Sequence, residues 1–262
     1  MSPYLFALAV VRFSTSPTPL GAQGITVPIA RLQSSSDSVR INAFNELQAA
    51  ADDHKRHPDR PWTSFLADSA RAQPALAAAL IQLLERENTR VASASPRSLS
   101  EDYLDGYYTT LQVTVARIQD PASASALLPG IARSGVIINS LASFGDVALD
   151  GVMSALRSKN SHERFAAVET LGEMIDRRPK NGLSAASTER IVQTLLREVA
   201  DPASPARQPA IEGLMPLSNP EIRPIMTLIA SSDTTPALRL PGMAARYGVR
   251  DAARAWLAAH PN

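Results

Sequence analysis

Arg164-Phe-Ala-Ala-Val-Glu-Thr-Leu171 decides the fold, because the chain repeats it. Arg207-Gln-Pro-Ala-Ile-Glu-Gly-Leu214 and Arg40-Ile-Asn-Ala-Phe-Asn-Glu-Leu47 share its pattern of Arg-x-x-Ala-apolar-x-x-Leu. Arg250-Asp-Ala-Ala-Arg-Ala-Trp-Leu257 keeps the Arg, Ala and Leu but places Arg254 where the others are apolar. Steps of 43 residues separate positions 164, 207 and 250, and 124 residues, about three such units, separate 40 from 164. Positions i, i+3, i+4 and i+7 share one face of a helix. Ala at i+3 lets a neighbouring helix come close, and the apolar residue and Leu fill the space between hairpins. Arg at i falls at the helix start, where the helix dipole disfavours a cation. It therefore calls for an acid nearby, and Asp37 and Asp201 stand just upstream of Arg40 and Arg207.

Outward from this motif, Leu141, Phe144, Ala148, Val152 and Leu156 form a stripe spaced three or four apart, predicting one helix before the Arg164 copy. Residues 191–199 precede the Arg207 copy in the same way. Asp120-Pro-Ala-Ser123 recurs as Asp201-Pro-Ala-Ser204, 81 residues or about two units later. Asn219-Pro220 is a further helix-start signal. Residues 73–90 predict one long Ala/Leu-rich helix, and Ser98-x-x-Glu101 predicts a capping box opening the next, which runs to about residue 119. Residues 52–73 are expected to form a polar insertion. No convincing strand pattern occurs.

A period in this range is that of helical-hairpin repeats. Residues 141–174 resemble a HEAT repeat of the kind found in many bacterial HEAT-repeat proteins. The resemblance extends to 187–217, is partial over 25–50 and 219–258, and lapses over 52–135. It implies an all-α right-handed solenoid, with about ten to twelve helices over residues 25–262. It also implies a non-enzymatic scaffold that binds another protein or peptide on its concave or edge surface, with no cofactor. The alternatives within related folds are a DNA glycosylase and a chromophore lyase. A glycosylase needs a basic groove and aromatic contacts, and only Trp62 and Trp256 are available outside the best repeats.

Composition agrees with packed helices. Of 262 residues, 45% are hydrophobic and only 5% aromatic, so Ala, Leu, Ile and Val must fill the core. Lys+Arg number 26 against 25 Asp+Glu, a net charge of +1, which argues against nucleic acid as the partner. Absence of Cys excludes disulfides, thiol nucleophiles and Cys-ligated zinc. Arg-, Ala- and Pro-rich usage, with only Lys55, Lys159 and Lys180 as lysines, matches GC-rich bacterial coding.

Residues 1–24 are expected to be a leader. The apolar run at 4–11 is too short to span a bilayer but long enough for a signal peptide, with cleavage after Ala22. The lack of a preceding Lys or Arg, the early Arg12 and the bulk of Leu20 count against it. Periplasmic export is the expectation and a cytoplasmic location the alternative. No segment reaches transmembrane length.

Candidate partner-binding residues are of two kinds. Tyr103 and Tyr107, one turn apart, are expected at the surface, whereas Tyr108 joins Leu104, Leu111 and Val115 on a core face. Glu169, Glu173 and Glu212 fall opposite the buried stripes of their helices and are expected to form an acidic strip on the concave side. His54 and His57 beside Asp52, Asp53 and Asp59 have metal-like spacing, but Lys55, Arg56 and Arg60 among them mark a solvated loop, and no metal site is assigned. No catalytic set emerges.

Overall fold

The structure, a computed structural model, describes residues 29–51, 58–95, 98–235 and 248–261. The leader and the positions of His54, His57, Asp52 and Asp53 lie outside these. The described residues are all α, with no strand among them. Thirteen α-helices follow in order: α1 (Ile29–Leu32), α2 (Asp37–Ala51), α3 (Trp62–Arg71), α4 (Pro74–Ser93), α5 (Thr109–Ile118), α6 (Ala124–Leu127) and α7 (Gly135–Ser143). Then come α8 (Asp146–Ala155), α9 (Ser161–Arg177), α10 (Ala185–Ala200), α11 (Arg207–Gly213), α12 (Ile222–Ser232) and α13 (Gly248–Ala259). A π-helical stretch, Asp102–Tyr108, leads into α5.

Helix starts follow local chemistry. Ser134, Asn160 and Ser184 cap α7, α9 and α10 by accepting from the N–H groups of Val136, His162 and Ser187. Both Asp-Pro-Ala-Ser copies adopt the same turn: Asp120 Oδ1 accepts from Ala122 N and Asp201 Oδ1 from Ala203 N, each at 2.9 Å. Asn219 Oδ1 accepts from Glu221 N at 2.9 Å. The expected capping box is corrected by two residues. Ser100 Oγ, not Ser98, accepts from Tyr103 N, while the Ser98 hydroxyl turns back to the Ser95 carbonyl.

The helices form two layers. In the second layer α2, α3, α5, α7, α9, α11 and α13 pack each on the next. In the first layer α1 packs on α4, α4 on α6 and α6 on α8, while α8, α10 and α12 cover α9, α11 and α13. Every substantial helix–helix contact joins helices at most three places apart in the chain. One continuous core runs from Leu32 to Trp256, and the motif leucines Leu47, Leu171 and Leu214 are fully buried in it. Trp256 carries the core to the last helix, donating its Nε1–H to the Leu214 carbonyl at 3.1 Å.

Two expectations are corrected here. The single helix expected over 141–156 is two, because Gly145 breaks it with φ +54°. A Cβ there would lie 2.1 Å from the Asn181 carbonyl oxygen. Asn181 in turn ties the ends of α7 and α9 together, its Nδ2 donating to the Ala142 and Met174 carbonyls at 2.9 and 3.0 Å. The expected polar insertion over 52–73 contains α3, whose Leu66, Ala67 and Ala70 are wholly buried between α2 and α5. Thr63 and Ser64 are buried with them, Asp68 and Ser69 are partly covered and Arg71 is exposed, so polar residues on both sides mask a period-3.6 stripe too short to be obvious.

Arg40, Arg164 and Arg207 are satisfied by backbone, and Arg40 and Arg207 by acid as well. Arg40 Nη1 donates to the Ser34 and Ser35 carbonyls at 2.9 and 3.1 Å, and Arg164 Nη1 to those of Ser158 and Lys159 at 2.8 and 3.1 Å. Arg207 Nε donates to the Val199 carbonyl at 3.0 Å. Each cation thus meets carbonyls where the preceding helix ends, offsetting its poor position on its own helix. Arg40 pairs with Asp37 at 2.7 Å as expected. Arg207 does not use Asp201; it pairs at 2.5 Å with Asp233, which ends α12. Arg40 also reaches Glu87 on α4 at 2.9 Å. Both arginines therefore bind an acid on the first-layer helix of the following hairpin.

Candidate functional site

Tyr103 and Tyr107 are not at the surface: they are 8% and 7% exposed. The π-helical winding is the reason. With hydrogen bonds at i→i+5, residues four and five apart flank one face, so Tyr103, Tyr107 and Tyr108 all turn inward. Tyr107 meets the Phe44 ring edge-on at 5.5 Å, and Tyr108 donates its hydroxyl to Asn88 Oδ1 at 2.6 Å. Tyr103 and Tyr107 do line, with Ile41, Asn45, Gly106 and Thr110, a groove of about 500 Å³ between α2 and the π-helical stretch.

Beneath this groove lies an ionic network that sequence reasoning missed. Glu87 is fully buried, accepting from Arg40 Nε at 2.9 Å and from the Tyr103 hydroxyl. Arg90 stands 3.6 Å from Glu87 and 2.9 Å from Asp37, with its guanidinium over the Tyr103 ring. Burial, then Glu87, push the Tyr103 and Tyr107 hydroxyls far above the usual phenol range, Glu87 acting on Tyr103 first through its hydrogen bond and on Tyr107 through its charge. Both stay neutral, and Tyr103 serves as a donor to Glu87. The network couples α2, α4 and the π-helical stretch, and its buried position suits structure rather than partner contact. One signal was available: Glu87 continues the 76, 80, 83, 84 spacing of the buried face of α4.

Glu169, Glu173 and Glu212 do come together. Glu169 and Glu212 are exposed and Glu173 is half-buried. Burial, then Glu173, then Glu212, raise the Glu169 pKa above the usual carboxylate range. The helices carrying them touch through glycine: a Cβ on Gly213 would lie 2.6 Å from the Gly172 Cα. Glu173 is held by Arg177 at 3.2 Å, and Glu212 accepts from Gln208 at 2.8 Å. No cation among the described residues pairs with Glu169. Phe165, one turn before Glu169, is 40% exposed. The result is an acidic patch with an apolar neighbour on the outer side of α9 and α11.

A second polar feature, invisible in the sequence, is a cleft lined by Arg60, Arg71 and Arg117 from the region of α3 and α5. Arg177 links it to the acidic patch, donating to Asn139 of the cleft at 2.6 Å while holding Glu173. Among the described residues no cluster of His, Asp and Glu is arranged to hold a metal ion, and no helix is long and apolar enough to cross a membrane. What the face offers chemically is charge, hydrogen-bond donors and one exposed aromatic ring. No family model matches the chain, and comparison with curated proteins finds no match.

Proposed function

We propose that this protein is a non-enzymatic interaction scaffold, a HEAT-like α-solenoid whose second-layer face holds a basic segment of a partner protein. The observation that carries this reading is the gathering of Glu169, Glu173 and Glu212 across two helices that touch at Gly172 and Gly213, with no cation among the described residues paired to Glu169. Like charges brought together cost stability, and a basic ligand relieves that cost. Phe165 beside them supplies the apolar contact that charge alone lacks. The repeated arginines and leucines are occupied in holding hairpins together, which leaves the exposed face for binding.

The test is titration of a labelled lysine-rich peptide against wild type and the Glu169→Lys, Glu212→Lys double variant. Salt-sensitive binding by wild type alone supports the reading, and no binding by wild type overturns it. Affinity capture from the native host then names the partner. We also propose periplasmic export, on the strength of the apolar run at 4–11 and the tract ending at Ala22. N-terminal sequencing of native material should begin near Gln23; an intact Met1 in cytosolic material overturns it.

A further inference from the structure

Arg117 is a half-buried cation without a carboxylate partner among the described residues. It lines a cleft of about 330 Å³ walled by α3, α5 and α7. Its Nη1 donates to the Ser64 hydroxyl at 3.1 Å, and its buried Nε has no hydrogen-bond partner. Among the described residues the one acid lining the cleft is Asp68, which Arg60 and Arg71 share, Arg71 at 2.6 Å. Burial works against the Asp68 carboxylate, but the two arginines outweigh it and hold its pKa below the usual range. Arg71 is further committed, its Nε and Nη2 donating to the Arg117 carbonyl at 3.2 and 2.9 Å. Among the described residues three guanidinium groups thus face one carboxylate, leaving an excess of two positive charges in the cleft.

A guanidinium removed from water without a counter-ion is costly, and its planar fork matches an oxyanion. Asn139 adds an amide whose Oδ1 is taken by Arg177. The fixed negative charge of Asp68 disfavours a dianion, so a singly charged carboxylate suits the cleft better than a phosphate. Through Arg177 the cleft is continuous with Glu173, and hence with the acidic patch. The face is bipolar: basic where Arg71 of α3 and Arg117 of α5 meet Arg60, acidic across α9 and α11.

We propose that this cleft receives a carboxylate side chain from the same partner segment whose basic residues lie on Glu169 and Glu212. This rests on the scaffold reading above, and it gives the bound segment a direction, acidic residue over Arg117 and basic residues over α9 and α11. Opposite charges on one ligand, read at two places, select orientation as well as partner.

The experiment compares labelled synthetic peptides: one with a glutamate cluster at one end and a lysine cluster at the other, its reversed order, and a lysine-only control. Each is titrated by fluorescence anisotropy against wild type, Arg117→Gln and Arg60→Gln, with folding checked by circular dichroism. Wild type should bind one of the two mixed peptides at least about tenfold more tightly than the lysine-only control, and each Arg variant should remove that advantage. Arg60→Gln keeps the test open if Arg117→Gln fails to fold. Equal binding of mixed and lysine-only peptides overturns this inference and leaves the scaffold reading standing. Loss of lysine-only binding in wild type sinks both. Abolition of the advantage by inorganic phosphate in place of salt of equal ionic strength would mark a phosphate site and overturn the carboxylate assignment.

Discussion

Arg40 and Arg164, 124 positions apart, make the same contact: Nη1 of each donates to the carbonyls six and five residues before it. They differ in what else they meet. Arg40 also neutralises the buried Glu87, whereas Arg164 has no acid partner among the described residues. The shared part is a carbonyl cap worth about 1 kcal/mol, as is usual for such hydrogen bonds. Removing one side of a buried pair costs about 3–5 kcal/mol where the other charge is stranded; Arg90 and the Tyr103 hydroxyl still reach Glu87, which places this loss toward the lower end. Arg40→Ala is therefore expected to destabilise the protein several-fold more, in kcal/mol, than Arg164→Ala. Equilibrium denaturation of both variants measures this. Similar losses would mean that the Glu87 pair contributes little beyond the cap.

The approach of α9 and α11 at Gly172 and Gly213 leaves no room for a methyl group. Gly213→Ala would place Cβ against backbone rather than against a flexible side chain, so the helices must separate. A cost of about 1–3 kcal/mol is expected, the range for overpacking a tight contact. Because Glu212 precedes Gly213, the variant should also weaken binding of a basic peptide. A stability equal to wild type in thermal melts would refute so close a crossing.

The arginine–alanine–leucine motif exposed the helical period, and Asp120 and Asp201 announced their turns, because both signals are local in the chain. Three features escaped for different physical reasons. Tyr103 and Tyr107 were misplaced because their spacing was read with an α-helical repeat, and the π-helical stretch rotates them inward. Phe65 and Leu66 were hidden in a segment whose polar residues dominate its composition. The Arg60, Arg71 and Arg117 cleft joins residues some fifty positions apart through packing of α3 on α5, which no local pattern encodes. The acidic patch was legible because Glu169 and Glu173 lie four apart and Glu212 is one repeat on.

Leu171 is fully buried at the last position of its motif, and Glu173, two residues on, keeps only its bridge to Arg177. Leu171→Ala should cost about 2–5 kcal/mol. Glu173→Ala should cost no more than about 0.5 kcal/mol, as for a surface i,i+4 pair. In the proposed solenoid stability is distributed over neighbouring interfaces, so Leu171→Ala should also broaden the denaturant transition. Equal, small effects would put the buried face of α9 in the wrong register.

Glu169 provides a pH test of the patch. Burial, Glu173 and Glu212 raise its folded pKa above the unfolded value. The folded state therefore binds this proton more tightly than the unfolded state does. Stability is then lost as pH rises through the interval between the two values, and the penalty is absent below the unfolded one. Glu169→Gln removes the charge and with it the penalty. At pH 7 and low salt the variant should be more stable than wild type by about 0.2–0.5 kcal/mol, the size of an exposed like-charge pair. The difference should vanish below about pH 4, where the carboxyl is protonated in both states, and should shrink in high salt. Denaturant melts at the two pH values decide it. A variant less stable than wild type at pH 7 would mean that Glu169 has a cationic partner and that the patch is not open to a basic ligand.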